Sequence, residues 1–309
     1  MREIPLNVLR GFAMGAADIV PGVSGGTIAL VLGIYRRLIS SIRSGSSAVG
    51  RVLKGDLAGA RDAIGSIDWK LLVPLVVGIG AALVGLAGLI EDQLHDNPEQ
   101  MAGLFTGLVL GSVVVAWGLL EIRDPKRIAI AVVAAVAVFL VLGLRSSTGA
   151  STVAGVSDPA LWAFFGAGAL AVCAMILPGI SGSFILVMIG MYQPVLLAVD
   201  ERDLAVIAVT GLGCVVGLGV FSQVLHWSLE HHYDTVMAAL IGLMVGSLRV
   251  LWPWPDGVDS TVLAAPDTDT VAVTTILGVV GFVVVIGVEQ LSRRLGVTDH
   301  DTEVDQLQH

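Results

Sequence analysis

Long apolar runs separated by short polar stretches are the dominant pattern of this chain. Five of these runs carry no charge and are 17 to 22 residues long, close to the roughly 20 residues that cross a bilayer as a helix. They are residues 71–90, 101–120, 128–144, 204–225 and 271–288. A sixth run, 235–252, carries one charge, Arg249, near its end. The pattern predicts an all-α polytopic membrane protein.

Two further apolar stretches, 6–39 and 159–199, are each about twice as long as a single crossing. The second carries no charge, and the first is interrupted only by Arg10, Asp18, Arg36 and Arg37. Each has a Pro-Gly pair near its middle, at Pro21 and at Pro178. Proline removes a backbone donor and interrupts a helix, so each stretch is predicted to form two helical pieces joined by a break. A re-entrant hairpin and a pair of broken spans both fit this pattern.

Composition supports a membrane location and sets an orientation. Hydrophobic residues make up 55% of the 309 residues and charged residues only 14%, which excludes a soluble globular protein. Seven basic residues lie between positions 36 and 70, and the positive-inside rule places this segment in the cytoplasm. Counting crossings from there predicts a multi-pass protein of the cytoplasmic membrane with both termini inside. The N-terminal residues show no small-residue cleavage pattern, so we expect them to be retained.

The basic segment also has a helical pattern of its own. Apolar residues recur at helical spacing between basic and acidic ones, at Val49, Val52, Leu53, Leu57 and Ile64. This predicts an amphipathic helix. It either lies on anionic lipid or is a solvated linker, and the sequence favours neither reading.

The chain contains an internal repeat. The segment IVPGVSGGTIALVLGIY from Ile19 matches ILPGISGSFILVMIGMY from Ile176, and GLVLGSVVVAW from Gly107 matches GLMVGSLRVLW from Gly242. Two motifs in the same order indicate a duplication. The first unit, 1–150, contains the hairpin 6–39, the basic loop 40–70 and three spans; the second, 151–309, contains the hairpin 159–199, three spans and a polar tail.

The span count predicts how the two units are oriented. Each hairpin returns the chain to its starting side, and each unit then has three spans, which is an odd number. The second unit is therefore predicted to be inverted relative to the first, as in many secondary transporters whose broken helices meet near the midplane.

The breaks predict an anion site. A helix that begins inside the membrane at Gly22 or Gly179 exposes backbone N–H groups that hydrocarbon cannot satisfy. Serine can cap such an end, glycine leaves the backbone bare, and the positive end of the helix dipole attracts an anion such as phosphate. The residues in these roles are Ser24, Gly25, Gly26, Ser181 and Gly182. Close helix packing is the alternative explanation of the small residues.

Two charges add to this candidate site. Asp18 stands three residues before Pro21 in an apolar context, where it either binds a proton or cation or accepts hydrogen bonds that hold the hairpin. Arg249 either binds phosphate oxygens through its guanidinium or extends to the membrane surface beside Trp252 and Trp254. No catalytic triad, nucleotide-binding loop or metal-ligand pattern appears, so we expect neither an enzyme nor a cofactor.

The motifs FAMGAADIVPGVSGGTIALVLGIY, AMILPGISGSFILVMIGMY and GSLRVLWPW resemble the PopT-like polyprenyl-phosphate transporter family over nearly the whole chain. The resemblance implies transport of a polyprenyl phosphate, undecaprenyl phosphate in bacteria, from the outer to the cytoplasmic leaflet. It adds Thr27 and Ser183 to the phosphate-binding residues. The expected partners are the lipid, the bilayer and a coupling ion, H⁺ or Na⁺, without nucleic acid. A transporter or channel for a small soluble anion and a membrane scaffold are the competing functions.

Overall fold

The protein is helical throughout the part that the computed structural model describes, which is residues 3–20, 23–147, 159–255, 257–258 and 262–294. No strand occurs in these ranges, which confirms the all-α class. The helices are α1 Glu3–Asp18, α2 Gly25–Val31, α3 Tyr35–Leu53, α4 Leu57–Gly65, α5 Trp69–Asp96, α6 Pro98–Gly118, α7 Pro125–Ser147, α8 Leu161–Ile176, α9 Gly182–Met188, α10 Tyr192–Asp200, α11 Leu204–His231, α12 Tyr233–Ser247 and α13 Val271–Arg294.

Within the described ranges, five helices are long and apolar enough to cross a membrane: α5, α6, α7, α11 and α13. They contain the five uncharged runs, so these predicted spans are confirmed as helices. The sixth is shorter than predicted, because α12 ends at Ser247 rather than at 252. Beyond it the backbone bonds change to the three-residue spacing of a tighter turn, from Leu248 N to Val245 O at 3.3 Å onwards. Pro253 follows shortly and cannot continue a helix.

Both predicted breaks separate a long helix from a short one. The short helices α2 and α9 have seven residues each, so each rises only about 10 Å, a third of the hydrocarbon thickness. Both end in the same way, at glycines with left-handed backbone, Gly33 with φ 69° and Gly190 with φ 71°. The residue after each glycine donates back across the turn, Ile34 N to Ala29 O and Met191 N to Leu186 O. After this turn α10 departs from α9 at 111°.

The basic segment forms two helices rather than one. α3 begins at Tyr35 and continues to Leu53, across residue 39, where the predicted hairpin 6–39 meets the predicted loop 40–70. The segment bends at Gly55, whose φ is 77°, and the Asp56 carboxylate then caps α4 by accepting from Gly59 N at 2.9 Å. Several of the predicted apolar positions are exposed, namely Val49, Val52, Leu57 and Ile64.

Glycines hold the long helices together in corresponding pairs. α1 packs along α5 and α8 packs along α11, while α6 packs on α13 and α7 on α12. A Cβ on Gly78 would overlap the carbonyl oxygen of Val8, and a Cβ on Gly213 would overlap that of Phe165. In the predicted repeat, Val8 aligns with Phe165 and Gly78 aligns with Gly213. The close helix approach is therefore the same in both units.

Close glycine contacts also join the two pairs of helices α6–α13 and α7–α12. A Cβ on Gly107 of α6 would overlap the carbonyl oxygen of Gly278, and one on Gly242 of α12 would overlap that of Ala131. Gly107 and Gly242 begin the second repeated motif. The two helices in which this motif begins thus each pack against a helix from the other half of the chain, α6 against α13 and α12 against α7.

We predict that Gly78→Ala destabilises the protein, because the added methyl group would force α1 away from α5. The expected loss is about 1–3 kcal/mol, typical of overpacking. Gly80→Ala is the matched control on the same helix, since a Cβ there meets nothing within 4 Å. Thermal unfolding of the purified variants in detergent measures both. Equal midpoints for the two variants would contradict the packing described.

Candidate functional site

The first hairpin break is closed by the protein's own polar groups. Asp18 Oδ1, at the end of α1, accepts a hydrogen bond from Gly25 N at 2.6 Å. Ser24 caps α2, with its Oγ accepting from Gly26 N at 3.1 Å and its carbonyl oxygen accepting from Thr27 N at 2.9 Å. The first N–H groups of α2 are therefore paired, and the Asp18 carboxylate lies where a bound anion was predicted.

The end of α8 completes this closure from the second unit. The last carbonyls of a helix have no partner within the helix. Here Ser24 Oγ donates to Met175 O at 2.9 Å and the buried Tyr35 hydroxyl donates to Ile176 O at 3.1 Å. A Cβ on Gly26 would come within 2.6 Å of Ile176 O, so glycine is needed for this approach. The negative end of α8 thus meets the positive end of α2.

The two breaks lie side by side. Gly179 N donates to Thr27 Oγ1 at 3.1 Å, and Thr27 is buried. Pro178 is buried in the turn between α8 and α9, and Gly179 has φ 84° against Met244 of α12. Of the predicted site residues, Pro21 and Gly22 lie outside the described ranges.

The second hairpin end differs from the first. Ser181 makes no capping bond to the α9 backbone, and its hydroxyl pairs with that of Ser183 at 2.7 Å. Ser183 is exposed and Ser181 is half-buried, whereas Gly182 is buried against Ala171 and Met175. Two hydroxyl groups are therefore accessible at the start of α9, at the position where α2 is sealed.

Arg249 is placed against α7. Its guanidinium carbon lies 4.6 Å from the centre of the Phe139 ring, within the range of a cation–π contact. Gly143 makes room for it, since a Cβ there would come within 3.1 Å of the guanidinium. The contacts of this side chain are thus with α7.

Sequence reasoning missed two polar side chains of the interior. Tyr35 aligns with Tyr192 in the repeat, but nothing in the sequence showed that its hydroxyl reaches α8. Arg10 was read only as an interruption of an apolar stretch, yet it is 6% exposed. Its place on the same helical stripe as Asn7 and Met14 was the available signal.

A family model for undecaprenyl phosphate translocase-like proteins matches residues 14–268. The chain belongs to this family. The model covers both hairpin breaks and Arg249, so the family match includes every predicted site residue. This is a transporter family and not an enzyme family, as the sequence predicts.

Two relatives carry the same name. The polyprenyl-phosphate transporter of Vibrio cholerae serotype O1 is 40% identical over 249 residues, covering 80% of this chain and 77% of the relative. The polyprenyl-phosphate transporter of Staphylococcus aureus is 31% identical over 261 residues, covering 80% and 86%. No solved structure gives a significant match.

Corresponding serines provide a matched pair for stability. Ser24→Ala removes a helix cap and the bond to Met175 O, so we expect a loss of about 1–2 kcal/mol in unfolding free energy. Ser181→Ala removes an accessible hydroxyl that bonds to the exposed Ser183, which can bond to water instead, and the expected change is within about 0.5 kcal/mol. Thermal midpoints in detergent compare the two. A larger loss for Ser181→Ala would contradict the asymmetry of the breaks.

Proposed function

We propose that this protein translocates a polyprenyl phosphate lipid across the cytoplasmic membrane, from the outer to the inner leaflet. The observation that carries the proposal is the direct contact between the two hairpin breaks, where Gly179 N donates to Thr27 Oγ1 and Ser24 Oγ donates to Met175 O. Membership of the family and the names of its relatives support the same substrate. The phosphate requires such a polar site, whereas the isoprenoid tail remains in lipid beside it.

The proposal includes an inverted repeat of two units, each a re-entrant hairpin followed by three spans. Two features support it: the corresponding glycine contacts and the matching short helices with their glycine turns. The inversion further requires that α12, a helix of 15 residues, crosses the membrane as the middle span of the second unit. With the basic residues of α3 and α4 on the cytoplasmic side, both termini are cytoplasmic.

The phosphate is proposed to bind between the breaks, first at the accessible start of α9. There Ser181 and Ser183 offer hydroxyl groups. Gly179 and Gly182 are buried against Met244 and Met175 in this structure, and their backbone would join the site when the hairpin opens. On the other side it would meet Ser24, Gly25, Gly26 and Thr27 once Asp18 has withdrawn. Asp18 and the phosphate then compete for the same N–H groups. A proton or sodium ion on Asp18 would weaken its hold on Gly25 N and open this half of the site.

Repeat correspondence suggests the other state of the transport cycle. In the present state Ser24 and Tyr35 bind the carbonyls at the end of α8. Their counterparts Ser181 and Tyr192 would bind the end of α1 in the other state, while α2 is released. Tyr192 is 37% exposed, in contrast to 3% for Tyr35. Alternating closure of the two breaks would carry the phosphate from one side to the other.

Arg249 is proposed to attract the phosphate on its way to the breaks. Under the inverted topology it lies toward the outer side of α12, stacked on Phe139. From there it would raise the local concentration of anionic headgroups before they enter the site.

Transport by proteoliposomes tests the proposal. The purified protein, reconstituted with labelled polyprenyl phosphate, is expected to move the lipid between leaflets. The double variant Ser181→Ala/Ser183→Ala should lower the initial rate about tenfold or more, since it removes both accessible hydroxyl groups. Ser228→Ala is the control, because that exposed hydroxyl bonds only within its own helix, to Val224 O. Uptake of inorganic phosphate without lipid movement would instead establish the soluble-anion function.

Asp18→Asn tests the coupling. The amide keeps the size of the carboxylate but carries no charge, so it mimics the ion-bound side chain. We expect lipid movement to persist without its dependence on a proton or sodium gradient. Rates measured with and without each gradient check this. If transport by Asp18→Asn depends on the gradient as strongly as transport by the wild type, then Asp18 does not couple transport to the ion.

A further inference from the structure

Arg10 lies on the buried side of α1. Asn7, Arg10, Met14 and Ala17 share one helical stripe, and all four are buried. The next residue is Gly11, where a Cβ would overlap the carbonyl oxygen of Leu75, so α1 and α5 are in backbone contact here. The arginine is therefore mostly covered by protein, with 6% of its surface exposed.

The hydrogen bonds of Arg10 leave most of its donors available. Its Nη1 donates to Asn7 Oδ1 at 2.9 Å, and Asn7 Nδ2 in turn donates to Lys70 O at 2.9 Å. Asn7 is 1% exposed, so this amide is a fixed support. A guanidinium has five N–H donors in a planar fork. The Asn7 amide oxygen accepts from one of these five donors, and because the amide is neutral it does not balance the charge of Arg10.

The charge of Arg10 has no carboxylate bound to it in the described part of the chain. The ion pairs there are Arg37–Asp68, Arg51–Asp56, Arg127–Asp124 and His226–Glu230. Arg37 is near enough to repel Arg10 through space, and Glu3 attracts it with a weaker effect. Arg37 is itself bound to Asp68 at 2.5 Å. A buried cation in such surroundings is costly unless an anion joins it.

We propose that Arg10, supported by Asn7, binds a phosphate monoester at this end of α1. The remaining N–H groups fit two phosphate oxygens in parallel. Eight residues separate Arg10 from Asp18, about 12 Å along the helix, on the side of the basic segment. Resting on the proposed function, the site receives the phosphate after it leaves the hairpin breaks. The same chemistry fits the headgroup of the lipid and free inorganic phosphate.

The second unit has no equivalent of this site. The position that corresponds to Arg10 is Ala167, and the position that corresponds to Asn7 is Phe164, both buried and apolar. A buried arginine supported by an asparagine is therefore present only on the first of these two corresponding helices, α1.

Ligand-induced stabilisation of the full chain in detergent tests the site. The probes are inorganic phosphate, farnesyl phosphate and phosphatidylglycerol, a phosphodiester. Wild type is expected to gain thermal stability with a monoester, and Arg10→Gln should weaken that affinity about tenfold or more. Arg61→Gln is the control, an exposed arginine of α4. A response to inorganic phosphate identifies a soluble source, and a response to farnesyl phosphate alone identifies the lipid.

Equal monoester affinity in wild type and Arg10→Gln would overturn the inference, as would an equal response to phosphatidylglycerol. Arg10→Lys keeps the positive charge but lacks the planar guanidinium, so this variant should bind the monoester less tightly than wild type. If Arg10→Gln does not fold, the affinity of Arg10→Lys serves as the test instead. Transport separates this site from the proposed function. If the protein moves no polyprenyl phosphate but still binds inorganic phosphate through Arg10, the proposed function fails and the site stands.

Discussion

A helix that begins inside a membrane must find partners for its first N–H groups, because hydrocarbon offers none. In α2 these partners are the Asp18 carboxylate and Ser24. The last carbonyls of α8 need donors, and the hydroxyl groups of Ser24 and Tyr35 donate to two of them. One junction thus satisfies two interrupted helices and joins residues some 150 positions apart. The arrangement of both hairpins depends on it.

The two breaks are alike in sequence and unlike in their contacts. Ser24 and Thr27 are buried and fully engaged, whereas Ser181 and Ser183 bind each other and remain accessible. The surrounding helices keep their correspondence, with glycines in backbone contact at equivalent positions. The difference is therefore confined to the hairpin ends, while the long helices form a common frame. We interpret this as one state of a protein whose two ends close in turn.

The sequence was sufficient for features that depend on local pattern. Apolar run length located five long helices, and Pro-Gly pairs located the breaks. Gly33 and Gly190 align in the repeat, and both adopt the left-handed backbone that terminates a short helix. The predicted span that ended at 252 was too long, because hydropathy does not register the change to a tighter turn after Ser247.

Features that depend on distant partners were not predictable. The sequence showed that Asp18 is near the break, but not that its carboxylate accepts a hydrogen bond from Gly25 N. It showed Arg249 in a span but not its stacking on Phe139, more than 100 residues away. Arg10 looked like a gap in hydrophobicity, because only the packing of α1 on α5 makes it a buried charge. Each case requires knowing which helix lies opposite.

The most direct measurement is a structure of the protein in lipid with bound polyprenyl phosphate. The account predicts phosphate density between the breaks, within hydrogen-bond distance of Ser181 or Ser183, with the isoprenoid tail directed into the bilayer. Density that lies outside the hairpins, while both breaks remain tightly packed on each other without a ligand, would contradict it.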